Sequence, residues 1–329
     1  MKVVHTESPA TKDRDISIER SCCPPDTEFF AAVYDNESDN NEQFYKDIAD
    51  ADIILNWYVY FGKKEIDALE HCKVISFQST GYNEIDIDYA TEKGVCVVSI
   101  LDYCTQETAE NAFALMLALQ RSLKIYEKSV QVDKKWDLYA ASHMRRVEGQ
   151  VMGIIGLGRI GQSVASKAIG FGMPVIAYDP YLPPQIAEAL GVKLVDLETI
   201  WAESDVISVH MNLTAENVHF LNKETFKKCK KRPIIINEGR GPMISEEDLV
   251  WALDNDIVRG AGLDMLESEF PDLDKCKLMG RPNVILTPHS GYFSDTSDYL
   301  MSKLSMDNAL LCYQGRHKEA KIVRNGIGL

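Results

Sequence analysis

The stretch VMGIIGLGRIGQSVA, Val151 to Ala165, decides the fold. Gln150 to Ile155 reads as a buried strand, a glycine turn follows, and Ile160, Val164, Ala165 and Ala168 then recur along one side of a helix. The three glycines have separate tasks. Gly156 permits the tight turn, Gly158 leaves the backbone open to a pyrophosphate, and Gly161 lets helix and strand pack closely. The helix that begins there presents its first amides to phosphate oxygens. The next apolar segment, PVIAYD, ends in Asp179, 18 residues beyond Gly161. A carboxylate at that place accepts hydrogen bonds from an adenosine ribose and repels a 2′-phosphate. No Arg or Lys follows in PYLPP, so the expected cofactor is NAD rather than NADP.

The same alternation of short apolar runs with helical patterns extends in both directions. KVV, DIILNW, KVISFQ and VCVVSI precede the turn, and DVISVH, PIIIN and NVILT follow it. This rhythm predicts an α/β protein with doubly wound parallel sheets and crossover helices. At 329 residues the chain exceeds a single core, so two domains are expected. Between Thr105 and Gln131 the apolar residues Ala109, Ala112, Phe113, Met116 and Leu119 predict one long helix just ahead of the glycine turn. Asp35 to Asn41 reads as a solvated loop entering a helix, while Pro183-Pro184 opens a helix that Gly191 closes.

Composition narrows the partners. With 35 Lys+Arg against 50 Asp+Glu the formal net charge is -15, which argues against nucleic acid or an anionic membrane as the main partner. An anionic ligand therefore needs locally placed positive charge. The run KKCKKR, Lys227 to Arg232, falls at an expected helix C-terminus, where cations favour the dipole. Eight cysteines, with no CxxC pair and no His at metal-ligand spacing, read as reduced, mostly buried thiols of a cytoplasmic protein, and no metal is expected. The longest apolar run, Ala112 to Leu119, is too short to span a bilayer.

Three polar residues lie at or just beyond the ends of expected strands: Arg240 after PIIINEG, Glu269 after GAGLDMLES, and His289 after VILTP. Ligands of open α/β sheets bind beyond the carboxyl ends of the strands, so the three converge on the crevice that takes the cofactor. Reduction of a 2-keto acid needs a cation for the carboxylate and carbonyl oxygen, and a proton donor for the developing alkoxide. Arg240 and His289 suit those roles, and a carboxylate beside the imidazole, Glu269, would orient it and keep it protonated.

The segments GLGRIG, NEGRGPMISEEDL, GAGLDMLESEF and ILTPHSGYF together resemble the D-isomer-specific 2-hydroxyacid dehydrogenase family, over nearly the whole chain. The likeness is closest to the branch shared by phosphoglycerate dehydrogenases and the NAD-binding C-terminal-binding-protein corepressors. The resemblance implies Arg240, Glu269 and His289 as the catalytic set. It implies cofactor contacts at Arg159, Ile160, Asp179 and Asp264, and a substrate carboxylate held by backbone amides around Ser79, Thr80 and Gly81. It also implies a discontinuous substrate domain, residues 1–100 and 294–329, with an NAD-binding domain of residues 101–293 inserted between, and a homodimer.

Three features depart from the family pattern. Asn237-Glu238-Gly239-Arg240-Gly241-Pro242 stands where Asn-Thr-Ala-Arg-Gly-Gly is usual, which sets an extra carboxylate, Glu238, and Gly239 at the cofactor side. Asn212 replaces a Pro in HMNLT, and Leu101 replaces one at the inter-domain crossing. Two functions remain open on the sequence: an enzyme interconverting a 2-keto acid and its D-2-hydroxy acid, or a corepressor-like, NAD-sensing binding protein with vestigial catalysis. Few cations flank the expected substrate loops apart from Lys63 and Lys64, whereas Trp57, Tyr58, Tyr60, Phe61, Tyr82, Tyr103, Tyr292 and Phe293 crowd them, which suggests a medium or aromatic 2-keto acid.

Overall fold

The computed structural model describes every residue except Ala10, Glu37, Asp39, Ser142 and His143. Two of these fall in the expected Asp35–Asn41 loop, beyond which the Glu42–Ile48 helix begins. The chain divides into two compact units, Met1–Tyr103 with Ser294–Leu329, and Cys104–Phe293.

In the first unit β1 (Lys2–Glu7), β2 (Glu28–Val33), β3 (Ile53–Asn56), β4 (Val74–Phe77) and β5 (Cys96–Val98) form a parallel sheet in the order β2-β1-β3-β4-β5. Every residue of β3 and β4 is buried, as expected where helices cover both faces of a parallel sheet. The Asp295–Tyr313 helix returns from the end of the chain to this sheet. Ser76 Oγ donates to Ser305 O at 2.8 Å, and Asn308 Nδ2 donates to Ser99 O at 3.1 Å. These buried bonds satisfy polar groups that would otherwise be stranded in the core.

In the second unit β6 (Met152–Ile155), β7 (Val175–Tyr178), β8 (Lys193–Leu194), β9 (Val206–Val209), β10 (Ile234–Asn237), β11 (Gly260–Leu263) and β12 (Val284–Leu286) run parallel. Their order is β12-β11-β10-β9-β6-β7-β8, so the winding reverses between β6 and β9. The glycine turn leaves β6 at that reversal, the place where such sheets bind ligands. β2 and β8 lie outside the rhythm read from the sequence. β8 has only two residues, and β2, EFFAAV, carries no strict alternation in its burial.

The expected long helix over 105–131 is broken. It runs Thr105–Gln120, then restarts as Leu123–Glu127 and ends in a π-helical turn, Lys128–Val132. Apolar spacing stops at Leu119, and Gln120 turns inward to bond Gln150 at 2.8 Å and Arg259 at 3.0 Å. Ser122 then adopts a left-handed conformation, φ 53°. The KKCKKR run follows a short helix, Lys223–Phe226, and disperses into ion pairs, among them Lys228 with Glu198 at 2.6 Å and Lys227 with Glu224 at 2.7 Å. No helix among the described residues is long and apolar enough to cross a membrane.

Candidate active site

The site of the second unit grows from strand ends. After β6, Gly156 takes φ 91°, and a side chain there would press within 2.9 Å of the His210 and Met211 backbone. Gly161 abuts the Gly156 carbonyl so closely that no Cβ fits. A Cβ on Gly158, by contrast, would meet nothing within 4 Å, which leaves open space over the first turn of the 12-residue Arg159–Gly170 helix. Arg159 is exposed and Ile160 half-buried on that turn. Asp179 reaches back across the switch point, where its Oδ2 accepts the Leu157 amide at 2.9 Å and its Oδ1 accepts the amides of Tyr181 at 2.9 Å and Leu182 at 3.1 Å. The carboxylate is thus held beside the turn. Bare backbone amides at a helix start, free space above them and an acidic group at their side fit a dinucleotide.

Beyond β9, Asn212 lies exposed in a loop, and its carbonyl accepts Asn217 Nδ2 at 2.8 Å. His210, just before it, is the histidine that sequence spacing does not assign a state. Its ring is enclosed beside Ser208 Oγ, 2.8 Å from Nε2, and burial pushes its pKa down to about 3. It stays neutral at physiological pH, so it is no proton donor.

β10 ends in an Asx turn. Asn237 Oδ1 accepts the Gly239 amide at 3.1 Å while its Nδ2 donates to the Arg240 carbonyl at 3.0 Å, and Arg240 Nη1 donates to Gly239 O at 2.9 Å. β11 ends in Asp264, only 1% exposed, which acts as a staple for the loop after β12. Its Oδ1 accepts Thr287 Oγ1 at 2.5 Å and the Ser290 amide at 2.9 Å, and its Oδ2 accepts the Gly291 amide at 2.8 Å. His289 sits inside that clamp with φ 50°, an uncommon conformation for a residue with a side chain. Its Nδ1 lies 2.8 Å from Glu269 Oε2. Burial raises the Glu269 pKa, but the bond to His289, the His289 charge and the nearby Arg240 charge outweigh it and hold the carboxyl below its usual range. A carboxylate on Nδ1 selects the tautomer that leaves Nε2 free for a substrate. Arg240, Glu269 and His289 are thus brought together within one unit.

Glu238 behaves differently from what its charge suggests. It is 6% exposed, Oε1 accepts Asn111 Nδ2 at 3.0 Å, and Oε2 has no partner among the described residues. Both Glu238 Oε2 and Asp264 Oδ2 crowd Gly291, where a Cβ would lie 2.5 and 2.8 Å from them. Burial first, and the Asp264 charge second, hold the Glu238 carboxyl well above its usual range. Both effects favour the protonated acid, so the extra carboxyl carries less negative charge than its sequence position suggests. Because the folded-state pKa exceeds that of the unfolded chain, this group's stabilising contribution is complete below 4.5 and is lost as pH rises through the folded value. Glu238→Gln should therefore flatten the alkaline side of a Tm-against-pH curve. Parallel curves for the two proteins would refute the raised pKa of Glu238.

In the first unit Ser79, Thr80 and Gly81 follow β4. Ser79 Oγ donates to Gly81 O at 2.7 Å, and Arg324 Nη2 donates to Thr80 O at 3.0 Å. A group that sequence reading missed lies at the carboxyl end of β1. Arg14 Nε donates to Glu7 Oε1 at 2.7 Å, its Nη2 bonds Glu19, and its guanidinium covers the Trp57 ring at 4.8 Å. His5 Nδ1 is 3.2 Å from the same Glu7 oxygen. The only signal was the polar second half, HTE, of the strand KVVHTE.

The fold agrees with comparison to known proteins. Residues 113–291 match the model of the D-isomer specific 2-hydroxyacid dehydrogenase NAD binding domain. The chain is 38% identical to the D-3-phosphoglycerate dehydrogenase of Methanocaldococcus jannaschii over 76% of its length and 47% of that protein. It is 33% identical to the hydroxypyruvate reductase of Blautia hydrogenotrophica, over 84% of this chain and 87% of that one. The D-lactate dehydrogenase of Aquifex aeolicus, solved with NAD and lactic acid, superposes with a TM-score of 0.83 at 26% identity, covering 97% of each chain. The chain belongs to the D-isomer-specific 2-hydroxyacid dehydrogenase family, and residues 113–291 are its NAD-binding domain. It spans about half the length of the D-3-phosphoglycerate dehydrogenases it matches, between 41% and 49%.

Proposed function

We propose that the protein is an NAD-dependent D-2-hydroxyacid dehydrogenase that interconverts a 2-keto acid and its D-2-hydroxy acid. The Glu269–His289 bond of 2.8 Å, close to Arg240 at the strand ends, carries this reading. Bound NAD supplies or accepts the hydride. His289 holds the exchangeable proton at Nε2 and delivers it to the substrate oxygen in reduction, while ionised Glu269 stabilises the imidazolium. Arg240 binds the carboxylate and polarises the carbonyl. In this reading the first unit is the substrate domain, and backbone amides around Ser79, Thr80 and Gly81 bind the substrate carboxylate.

The substrate is an unphosphorylated 2-keto acid in this reading. Lys63 and Lys64, the cations that a phosphate would want, each lie over a tyrosine ring, Tyr89 at 5.2 Å and Tyr45 at 4.6 Å. Of the aromatic residues, Phe61 and Tyr103 are buried in the core, whereas Tyr60, Tyr82 and Phe293 stay exposed. Eight free cysteines support a cytoplasmic site of action. A homodimer is supported by Leu123, Val132, Trp136, Leu138 and Tyr139, an exposed apolar series within the second unit.

The test is NADH oxidation with pyruvate, hydroxypyruvate, phosphohydroxypyruvate, 2-ketoisocaproate and phenylpyruvate, with sedimentation of the same protein. Turnover of an unphosphorylated member by a dimer is the expected result. Preference for phosphohydroxypyruvate would overturn the substrate reading. Tight NADH binding with no turnover of any member would favour the corepressor-like binding protein, and a monomer at all concentrations would exclude the dimer.

A further inference from the structure

Outside the active site, the fold assembles a donor set that sequence spacing does not reveal. Cys96 opens β5, and Cys312 lies in the last turn of the Asp295–Tyr313 helix. Both are buried in one apolar cluster with Val98, Met306, Ala309 and Ala320. His317 follows in a short 3-10 turn, His317–Glu319. The two sulfurs and a ring nitrogen of His317 all lie within 4.8 Å of one another.

The C-terminal segment holds this arrangement in place. It runs back along β5, with Arg324 N donating to Val97 O at 2.8 Å and Asn325 bonding Val97 N at 3.1 Å and Val95 O at 2.8 Å. Gly328 then abuts the His317 ring so closely that a Cβ would collide with it. Apart from the contact between the two thiols, none of the three side chains hydrogen-bonds to any group among the described residues.

We propose that Cys96, Cys312 and His317 form a binding site for a zinc-class divalent cation that clamps the C-terminal segment to the edge of the first sheet. Two thiolates and an imidazole are the donors that zinc favours, and among the described residues no carboxylate joins them to suit calcium or magnesium. A disulfide would use both sulfurs and leave the imidazole without a partner, whereas a metal uses all three donors. Binding releases the two thiol protons to solvent, takes His317 as the neutral ring, and leaves a fourth position for water.

The full-length protein, stripped with a chelator under reducing conditions, is titrated with Co2+ and then Zn2+. The expected result is about one equivalent of Co2+ with a thiolate-to-cobalt charge-transfer band and tetrahedral d–d bands, displaced by Zn2+. His317→Ala, at a partly exposed residue that leaves the core intact, and Cys312→Ser should each weaken binding at least about a hundredfold, the upper end of what losing even an outer-shell partner costs. Absence of the charge-transfer band in the folded wild-type protein, or unchanged affinity in His317→Ala, would overturn the site. The readout does not depend on catalysis, so it stands or falls apart from the dehydrogenase reading.

Discussion

His289→Ala is expected to lower kcat with the preferred 2-keto acid by about 100- to 10,000-fold, the usual contribution of a positioned general acid. KM should change little, since the imidazole acts on the developing alkoxide more than on the bound ketone. Glu269→Gln should cost less, roughly ten- to a hundredfold, because the ring keeps a hydrogen-bonding neighbour and loses only its countercharge. The two residues act as one unit through the 2.8 Å bond, so the double variant should be scarcely worse than His289→Ala alone. The lowered pKa of Glu269 gives the pH dependence its sign. The carboxylate is charged above its own lowered value, so protonating it impairs turnover only below the ordinary glutamate value of 4.5. Steady-state rates of the four proteins across pH check all of this, and wild-type kcat in His289→Ala would remove the histidine from the mechanism.

Arg240→Gln carries the second large effect. Its main chain is set by Asn237 at 3.0 Å, and its guanidinium bonds Gly239 O at 2.9 Å, so the side chain starts from a defined position. Losing the charge should reduce kcat/KM by about 100- to 1,000-fold, the range for removing one donor to a developing oxyanion. Arg240→Lys should recover only part, because an ammonium lacks the planar fork that meets a carboxylate with two bonds. NADH affinity, read by fluorescence titration, should stay near wild type in both variants. An equal fall in NADH affinity would show that Arg240 serves the cofactor instead of the substrate.

Much of this site could be read before any coordinates because each element announces itself locally. Three glycines around a strand-to-helix turn can hardly be arranged otherwise, and Arg240, Glu269 and His289 follow apolar runs of strand type in one direction of a parallel sheet. The protonation states could not be read that way. Glu238 and Asp264 are 26 positions apart, and only the pairing of β10 with β11 sets their carboxyls against one another in the dry interior. His210 and His289 look alike in the chain. One is enclosed and neutral, while the other rests on a carboxylate.

By itself the amino-acid sequence determined what short-range physics controls: parallel α/β architecture, the dinucleotide turn, the order of the charged residues along the strands and the family. Tertiary structure alone decided where the Thr105 helix stops, which carboxyl is pushed toward its protonated form, and that Cys96, Cys312 and His317 meet. The reason lies in range. Backbone periodicity and turn chemistry act over a few residues, whereas desolvation, charge coupling and side-chain convergence depend on which distant segments the core has brought together.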